Sequence, residues 1–325
     1  MKTLPDASRP LTAELAAEAF AAILDGEVAA PDIQNFLTIM SDRDETSIEI
    51  AAAVREMRKR MKTISAPEGA IDVCGTGGDG SHSLNISTAV AIVVAACEVP
   101  VAKHGNRAAS SKAGAADTLE ALGLNLDRAS DTAEATLADL GICFLFAQKH
   151  HPALAPLAPI RKAIGKRTIF NLTGPAANPA RVKRQLIGVA RPDFLPVYAG
   201  ALELLDYDDA MLVAGDEPLD ELSISAPSSV HRIGQYVERI TPECAGLAYH
   251  PMEDLRGGDA AFNAAALMRL LDGEAGAYRD AVLLNASAAL MVAGHAHDWQ
   301  SGVEEAAEAI DKGLAKALLN CWIAY

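Results

Sequence analysis

From Ile71 onward the chain alternates short apolar, β-branched runs with Ala-rich stretches of helical period. "IDVC" precedes Ile86 to Cys97, "VPVAK" precedes Ala115 to Leu122, and "ICFLFA", "QLIGVA" and "AMLVAG" follow with helices between them. Strands that repeat in this way at helix-sized intervals are buried on both faces, and the expected result is a largely parallel sheet covered by helices. Residues 1 to about 64 carry no strand pattern, only three segments with apolar residues at helical spacing. Thr12 caps the first, which ends near Gly26. Ile33, Phe36, Leu37 and Met40 face one way on the second, and the Thr46/Glu49 capping box opens the third. The expected fold class is therefore α/β, with a small all-helical N-terminal domain (residues 1–66) beside a large α/β domain (67–325) built on a mostly parallel central sheet. The Pro-rich stretch from His150 to Ala180 is expected to return to the helical domain over about 151–181, and three further helices from Ala260 are expected to close the sheet. A cleft between the domains is the natural ligand site.

Charge narrows the function. With 28 Lys plus Arg against 43 Asp plus Glu, the net charge of -15 repels nucleic acid and anionic membrane surfaces. Any anionic ligand must be captured locally. The N-terminus has no signal-peptide core, and the longest apolar stretch, Ala89 to Cys97, is too short to span a bilayer, so a cytoplasmic location is expected. Five scattered cysteines without a C-x-x-C pair suggest neither a disulfide framework nor a zinc site. The one basic run, Arg55 to Lys62, reads as a solvated helix face.

The stretch "DVCGTGGDGSHSLNIST", Asp72 to Thr88, contains a literal G-x-G-x-x-G. A dinucleotide fingerprint requires a helix at the third glycine and an acidic residue at the end of the next strand. Here the loop runs on through Ser81, His82, Ser83 and Asn85, and the next strand ends in Lys103. A Walker A loop requires a lysine that this loop lacks. Glycines that expose backbone N–H groups, followed by Asn85, Ser87 and Thr88 at the positive end of a helix, make an anion cradle of neutral donors. The second loop, "KHGNRAASSK" from Lys103 to Lys112, should lie beside it and adds Lys103, Arg107 and Lys112 as charges. Two such loops suit a ligand phosphorylated at two places, such as a sugar diphosphate. In "LDELS", Asp220 and Glu221 follow another strand. Adjacent carboxylates are either solvated loop charges or, beside a diphosphate, part of a Mg²⁺ site, since Mg²⁺ takes one or two carboxylates plus phosphate oxygens.

These segments, with "FLFAQKHHPALAPLAPIRKAIGKRTIFNLTGPAANPA", resemble the anthranilate phosphoribosyltransferase family in order and spacing, almost from end to end. The resemblance implies the nucleoside phosphorylase-like transferase fold and a homodimer joined through the helical domain. It implies transfer of a 5-phosphoribosyl group from phosphoribosyl diphosphate to the amine of anthranilate in tryptophan biosynthesis. By motif it places phosphoribosyl diphosphate on Gly75, Gly78, Asp79, Ser83, Asn85, Ile86, Ser87 and Thr88. The second loop would help through Lys103, His104, Gly105, Asn106, Arg107, Ala108, Ala109, Ser110 and Ser111, with Ala115 behind it. Anthranilate would meet Gly75, Asn106 and Arg161, with His104, His151, Gly174 and Pro175 lining its route. Ser87, Asp220 and Glu221 would hold two Mg²⁺ per subunit. No side chain is an obligatory nucleophile in this scheme.

The residue types agree, because Arg161 suits a carboxylate. His104 and His151 read equally well as structural histidines. The chain departs from the family pattern at Ala113 and Ala115, where serines are common, in "GPAANP", and in "AGDEPLDE". These changes alter the donor count and the acidic loop but remove no ligand named above. A nucleoside phosphorylase on the same fold and a non-catalytic nucleic-acid-binding relative are the alternatives.

Overall fold

The computed structural model describes every residue except Ala109, Ser110, Ser111 and Pro218. Its N-terminal part is three helices, α1 (Ala13–Leu24), α2 (Ala30–Asp42) and α3 (Ser47–Arg60). Their starts follow from local chemistry: Thr12 Oγ1 accepts the Leu15 N–H at 3.3 Å, and Pro31 sits in the first turn of α2. The expected capping box closes α3, with Thr46 Oγ1 accepting Glu49 N at 3.3 Å and Glu49 Oε2 accepting Thr46 N at 2.9 Å. Glu49 is fully buried, takes the Leu11 N–H at 2.9 Å and pairs with Arg43, so one carboxylate ties together three segments.

Seven strands form one sheet: β1 (Ile71–Gly75), β2 (Val101–Gly105), β3 (Ile142–Phe146), β4 (Arg184–Gly188), β5 (Asp209–Gly215), β6 (Ser228–Arg232) and β7 (Glu238–Ile240). Their order is β3-β2-β1-β4-β5-β6-β7, parallel from β3 through β5 and antiparallel from β5 to β7. The five parallel strands are the five apolar runs of the sequence. The β6–β7 hairpin was not visible there, because "SSVHR" is half polar and β7 is three residues with two exposed. The chain reverses its direction of travel across the sheet between β1 and β4. In open α/β sheets, the crevice beyond the carboxyl ends of such strands receives ligands.

Helix α4 (Ile86–Ala96) is apolar on every side because it is enclosed, packing on the sheet and on the helix Ala277–Ala293. Together they fill the core on one face of the sheet. The other face, through Ile187, Val189, Leu212 and Ala214, joins the core of the N-terminal helices. The C-terminal part holds four helices rather than three: Ala260–Leu271, Ala277–Ala293, Trp299–Asp311 and Leu314–Ala324. Gly313, at φ +72°, breaks the last stretch in two.

The Pro-rich stretch forms a 3₁₀ turn and the helices Ala158–Ile164 and Ile169–Ala176, which pack on α2 and α3. The basic run is not simply a solvated face. Arg58 reaches from α3 to the Ala176 carbonyl at 3.0 Å and Tyr207 Oη at 3.1 Å, while Arg60 pairs with Asp25 at 2.6 Å and Glu56 at 2.7 Å. Among the described residues, no helix is long and apolar enough to cross a membrane.

Candidate active site

The glycine loop leaves the end of β1 and closes onto the acidic loop after β5. Gly77 and Gly78 both adopt left-handed backbone, at φ +67° and +80°. That path aims the Gly77 N–H at Asp220 Oδ2, 2.7 Å away. Asp79 orders the loop by accepting Ser81 N at 3.1 Å and Ser81 Oγ at 2.8 Å, and its Oδ2 lies 3.3 Å from Asp220 N. Gly75 and Gly188 are register partners at the ends of β1 and β4. A Cβ on Gly75 would stand 2.2 Å from Asp220 Oδ2, and one on Gly188 would stand 1.5 Å from Asp220 O. Two adjacent strand ends without side chains thus make the seat for Asp220. Gly188 was missed in the sequence; its only signal was a glycine at the end of an otherwise apolar strand.

Burial gives the acidic pair its electrostatic character. Asp220 is pushed up to about 7, first by burial and then by the nearby Asp79 charge. Glu221 is raised well above the usual carboxylate range by burial and then by Asp220. Two buried, mutually repelling carboxylates call for a cation. A protein cation that acts on Glu221 is Lys103, whose buried Nζ donates to Val73 O at 2.7 Å and lies 3.3 Å from Ser87 Oγ. Its pKa is lowered by burial, against the pull of Asp72, Cys74 and Glu221. Lys103 thus lies beneath the loop within electrostatic reach of Glu221. Among the described residues, no three His, Cys, Asp or Glu side chains group as a metal cage. Two carboxylates and a serine hydroxyl are a hard oxygen set that a phosphate-bound Mg²⁺ would complete, so the residues fit that ion.

A residue without a sequence motif holds this loop. Asn285, fully buried on the helix Ala277–Ala293, accepts Leu222 N at 2.9 Å and donates to Leu222 O at 3.0 Å and Ala281 O at 2.9 Å. Both faces of its amide are spent on the backbone directly after Glu221.

The second loop begins at β2, where His104 N donates to buried Asp72 Oδ1 at 3.0 Å. The other Asp72 oxygen accepts Asn178 Nδ2 at 2.8 Å and Gln185 Nε2 at 3.0 Å, and Tyr207 Oη donates to Gln185 Oε1 at 2.7 Å. Gln185 and Tyr207 belong to no motif, yet with Asp72 and Asn178 they fix the base of the loop. Arg107 turns away to Asp117 at 2.8 Å and Glu120 at 2.9 Å. Asn106 Oδ1 accepts Arg107 N at 2.8 Å. Asn85 has its side-chain oxygen filled by Thr118 and by Asn263 at 2.8 Å, and its Nδ2 lies 3.3 Å from Ala113 O. It holds the loop in shape through its side chain. Gly105 lies against Phe144 and Ala115, and Ala108 N donates to Asp117 Oδ2 at 3.0 Å. Ile86 and Thr88 are buried in the first turn of α4. Ser83 pairs with Arg256 through the backbone, and Gly78 borders the exposed part of the loop. Ala109, Ser110 and Ser111 lie outside the described residues.

The second loop also meets the returned segment. His104 Nδ1 lies 3.1 Å from Gly174 O, and the His104 and His151 rings are 5.1 Å apart. Burial first lowers both, with His151 next for His104 and His150 next for His151: His104 falls well below the usual range and His151 to about 4. Both are neutral near pH 7, and neither Nε2 has a partner. Pro175 O accepts Gln185 Nε2 at 2.9 Å, so the "GP" turn is tied to the same network as Asp72. Arg161, partly buried, donates to Asn171 Oδ1 at 3.3 Å. Burial alone lowers its pKa, because no carboxylate among the described residues offsets it. Such a guanidinium is ready for a ligand carboxylate.

Comparisons with known proteins bear on the family and the fold. Residues 67–316 match the a/b domain of the glycosyl transferase family, and residues 3–61 match its helical bundle domain. The anthranilate phosphoribosyltransferase of Novosphingobium aromaticivorans is 63% identical, the match covering 100% of this chain and 99% of that one. The crystal structure of the Thermus thermophilus enzyme of that name superposes with a TM-score of 0.93 at 40% identity, covering 100% of this chain and 99% of that chain. A Saccharomyces cerevisiae enzyme of the same name, solved in complex with PRPP (phosphoribosyl diphosphate) and Mg, gives a TM-score of 0.90 at 27% identity over 97% of this chain and 93% of that one.

Proposed function

The chain belongs to the anthranilate phosphoribosyltransferases of the glycosyl transferase family, and from that membership we propose how its residues perform the reaction. The enzyme transfers the 5-phosphoribosyl group of phosphoribosyl diphosphate to the amine of anthranilate, giving N-(5-phosphoribosyl)anthranilate and diphosphate in tryptophan biosynthesis. The observation that carries the residue assignment is the closure of the glycine loop over the acidic pair: the Gly77 N–H meets Asp220, and Asp220 seats on Gly75 and Gly188.

Displacement of diphosphate leaves positive charge on the sugar and negative charge on the leaving group. Donors aimed at the diphosphate therefore carry the largest share of the rate. Gly78, Ser83 and Ser87, together with the N-terminus of α4, supply those donors, and the second loop from Lys103 to Ser111 supplies the rest. Mg²⁺ serves the reaction by drawing charge from the diphosphate oxygens; Ser87, Asp220 and Glu221 would hold it, with room in the assignment for two ions per subunit. Lys103 lends the buried carboxylates a countercharge from below. Asp79 and Asn85 keep the loop in shape.

On the acceptor side, Arg161 takes the anthranilate carboxylate, and Asn106 with neutral His104 and His151 lines its route beside Gly174 and Pro175. An aromatic amine is neutral at pH 7 and carries its own lone pair. Positioning it behind the anomeric carbon is sufficient, and inversion follows. The division at about residue 66, a homodimer through the helical domain and a cytoplasmic location complete the reading.

Replacing Asp220 with Asn and Glu221 with Gln tests it. The double variant should keep its fold, since both changes remove charge from a buried pair, and should require at least tenfold more Mg²⁺ for half-maximal turnover. A wild-type Mg²⁺ requirement would leave the pair without a role.

A further inference from the structure

Away from the acceptor wall, the loop after β7 and the two helices that follow border, with Leu84, a half-open cavity of about 380 Å³. That volume lies within the range of small-molecule sites. Leu84, Phe262 and Leu270 form an apolar side, and the Phe262 ring is half exposed there. Arg256, Arg269 and Arg279 also line it, a concentration of cations in a chain of net charge -15. Arg256 makes no side-chain hydrogen bond or ion pair with any described residue. Arg279 places Nη2 on Asp311 at 2.8 Å, while its buried Nη1 has no partner. Arg269 is loosely paired with Glu274 at 3.4 Å, and His250 with Asp280 at 2.7 Å.

We propose that this cavity is a second ligand site, for a small monocarboxylate with an apolar body, coupled to the glycine loop. The unpaired Arg256 guanidinium takes the carboxylate in a bidentate pair. The apolar body lies on Leu84 and Phe262. Asp254 and Glu274, also on the lining, offset two of the three arginines, which leaves about one positive charge for a single carboxylate to neutralise.

The coupling is built from hydrogen bonds between the cavity wall and the loop. Gly257 N donates to His82 O at 2.8 Å, and Leu84 N to Leu255 O at 2.8 Å. Tyr278 Oη, another lining residue, lies 3.1 Å from Asn85 O. Gly257 is so close that a Cβ would stand 2.6 Å from Ser83 O. An occupant that moves Arg256 or Tyr278 thus moves Ser83 and Asn85, and by linkage the effect is reciprocal. This half rests on the reading that the glycine loop holds phosphoribosyl diphosphate.

Benzoate, which has no amine to react, is the probe, titrated calorimetrically into the full-length Arg161→Ala protein so that the acceptor site is disabled. Saturable binding is expected, weakened tenfold or more by adding Arg256→Ala, and weakened likewise by adding Phe262→Ser at the rim. No binding to Arg161→Ala, or binding indifferent to Arg256→Ala, would overturn the site. Saturating benzoate should also shift the dissociation constant of phosphoribosyl diphosphate with Mg²⁺ at least threefold in Arg161→Ala, and not in Arg161→Ala/Arg256→Ala. An unchanged constant would overturn the coupling. The single Arg256→Ala protein should consume anthranilate normally without benzoate, which separates failure of this proposal from failure of the acceptor assignment.

Discussion

Arg161 and His151 show what single residues contribute. A guanidinium whose one neighbour is a neutral amide exchanges little when a carboxylate arrives, so Arg161→Ala should raise the KM for anthranilate about tenfold to a hundredfold, from the ~1.5–3 kcal/mol of a charged hydrogen bond. The KM for phosphoribosyl diphosphate should stay within about twofold; equal losses on both substrates would refute the role. His151 gives a stability prediction. Above about pH 6.5 the folded and unfolded chains both hold it neutral, so it contributes nothing. Between about 6.5 and about 4 the unfolded chain binds a proton that the buried imidazole refuses, and stability falls as pH falls. The full loss is on the order of 3 kcal/mol from ~1.4 kcal/mol per pKa unit. His104 and His150 shift in the same direction and steepen the slope. Tm measured from pH 7.5 to 4 should fall less steeply in His151→Gln. At this scale the sequence was legible where a motif names a residue, and silent where a residue acts through buried geometry. Gly75 stood out in a glycine run, but Gly188 becomes visible only once Asp220 is found 1.5 Å from its missing Cβ.

Elements place these residues, and most were readable because local chemistry and burial pointed the same way. The Thr46/Glu49 box, the apolar α4 and the five parallel strands were all legible. Thr46→Ala should cost about 1 kcal/mol of stability by chemical denaturation, the ordinary worth of an N-cap. The β6–β7 hairpin was not legible, since its outer strand is short and exposed and its pattern competes with a loop. Nor was the function of the helix Ala277–Ala293. Its period announces only burial, and a buried asparagine in it gives no hint that the amide clamps the acidic loop from 63 residues further along the chain. Asn285→Ala should leave the helix in place but free Leu222. Mn²⁺ binding in the presence of diphosphate, followed by electron paramagnetic resonance, should weaken about tenfold, the ~1–3 kcal/mol left by an unsatisfied buried partner. Unchanged Mn²⁺ affinity with lowered Tm would make Asn285 a purely structural residue.

At the scale of the whole molecule, the sheet order does the assembling. Because β1 and β4 are neighbours while β2 and β5 lie outside them, the glycine loop, the second loop and the acidic loop all leave at adjacent carboxyl ends. The returned segment then brings Gly174 to His104 and joins the acceptor wall to the second loop. The charge of -15 is compatible with the proposed diphosphate site, since glycine-loop backbone N–H groups are neutral donors that act locally. What the sequence could not supply is the internal wiring. Lys103 read as a charge on the second loop, and the fold buries it with Nζ 3.3 Å from Ser87 Oγ, where it also acts on Glu221. The central claim, that these loops pass a phosphoribosyl group to anthranilate, is tested most directly by anthranilate fluorescence. With phosphoribosyl diphosphate and Mg²⁺ the signal should fall to completion, with no fall when either is omitted or when ribose 1-phosphate replaces the diphosphate sugar. A steady signal in the complete mixture would contradict the account.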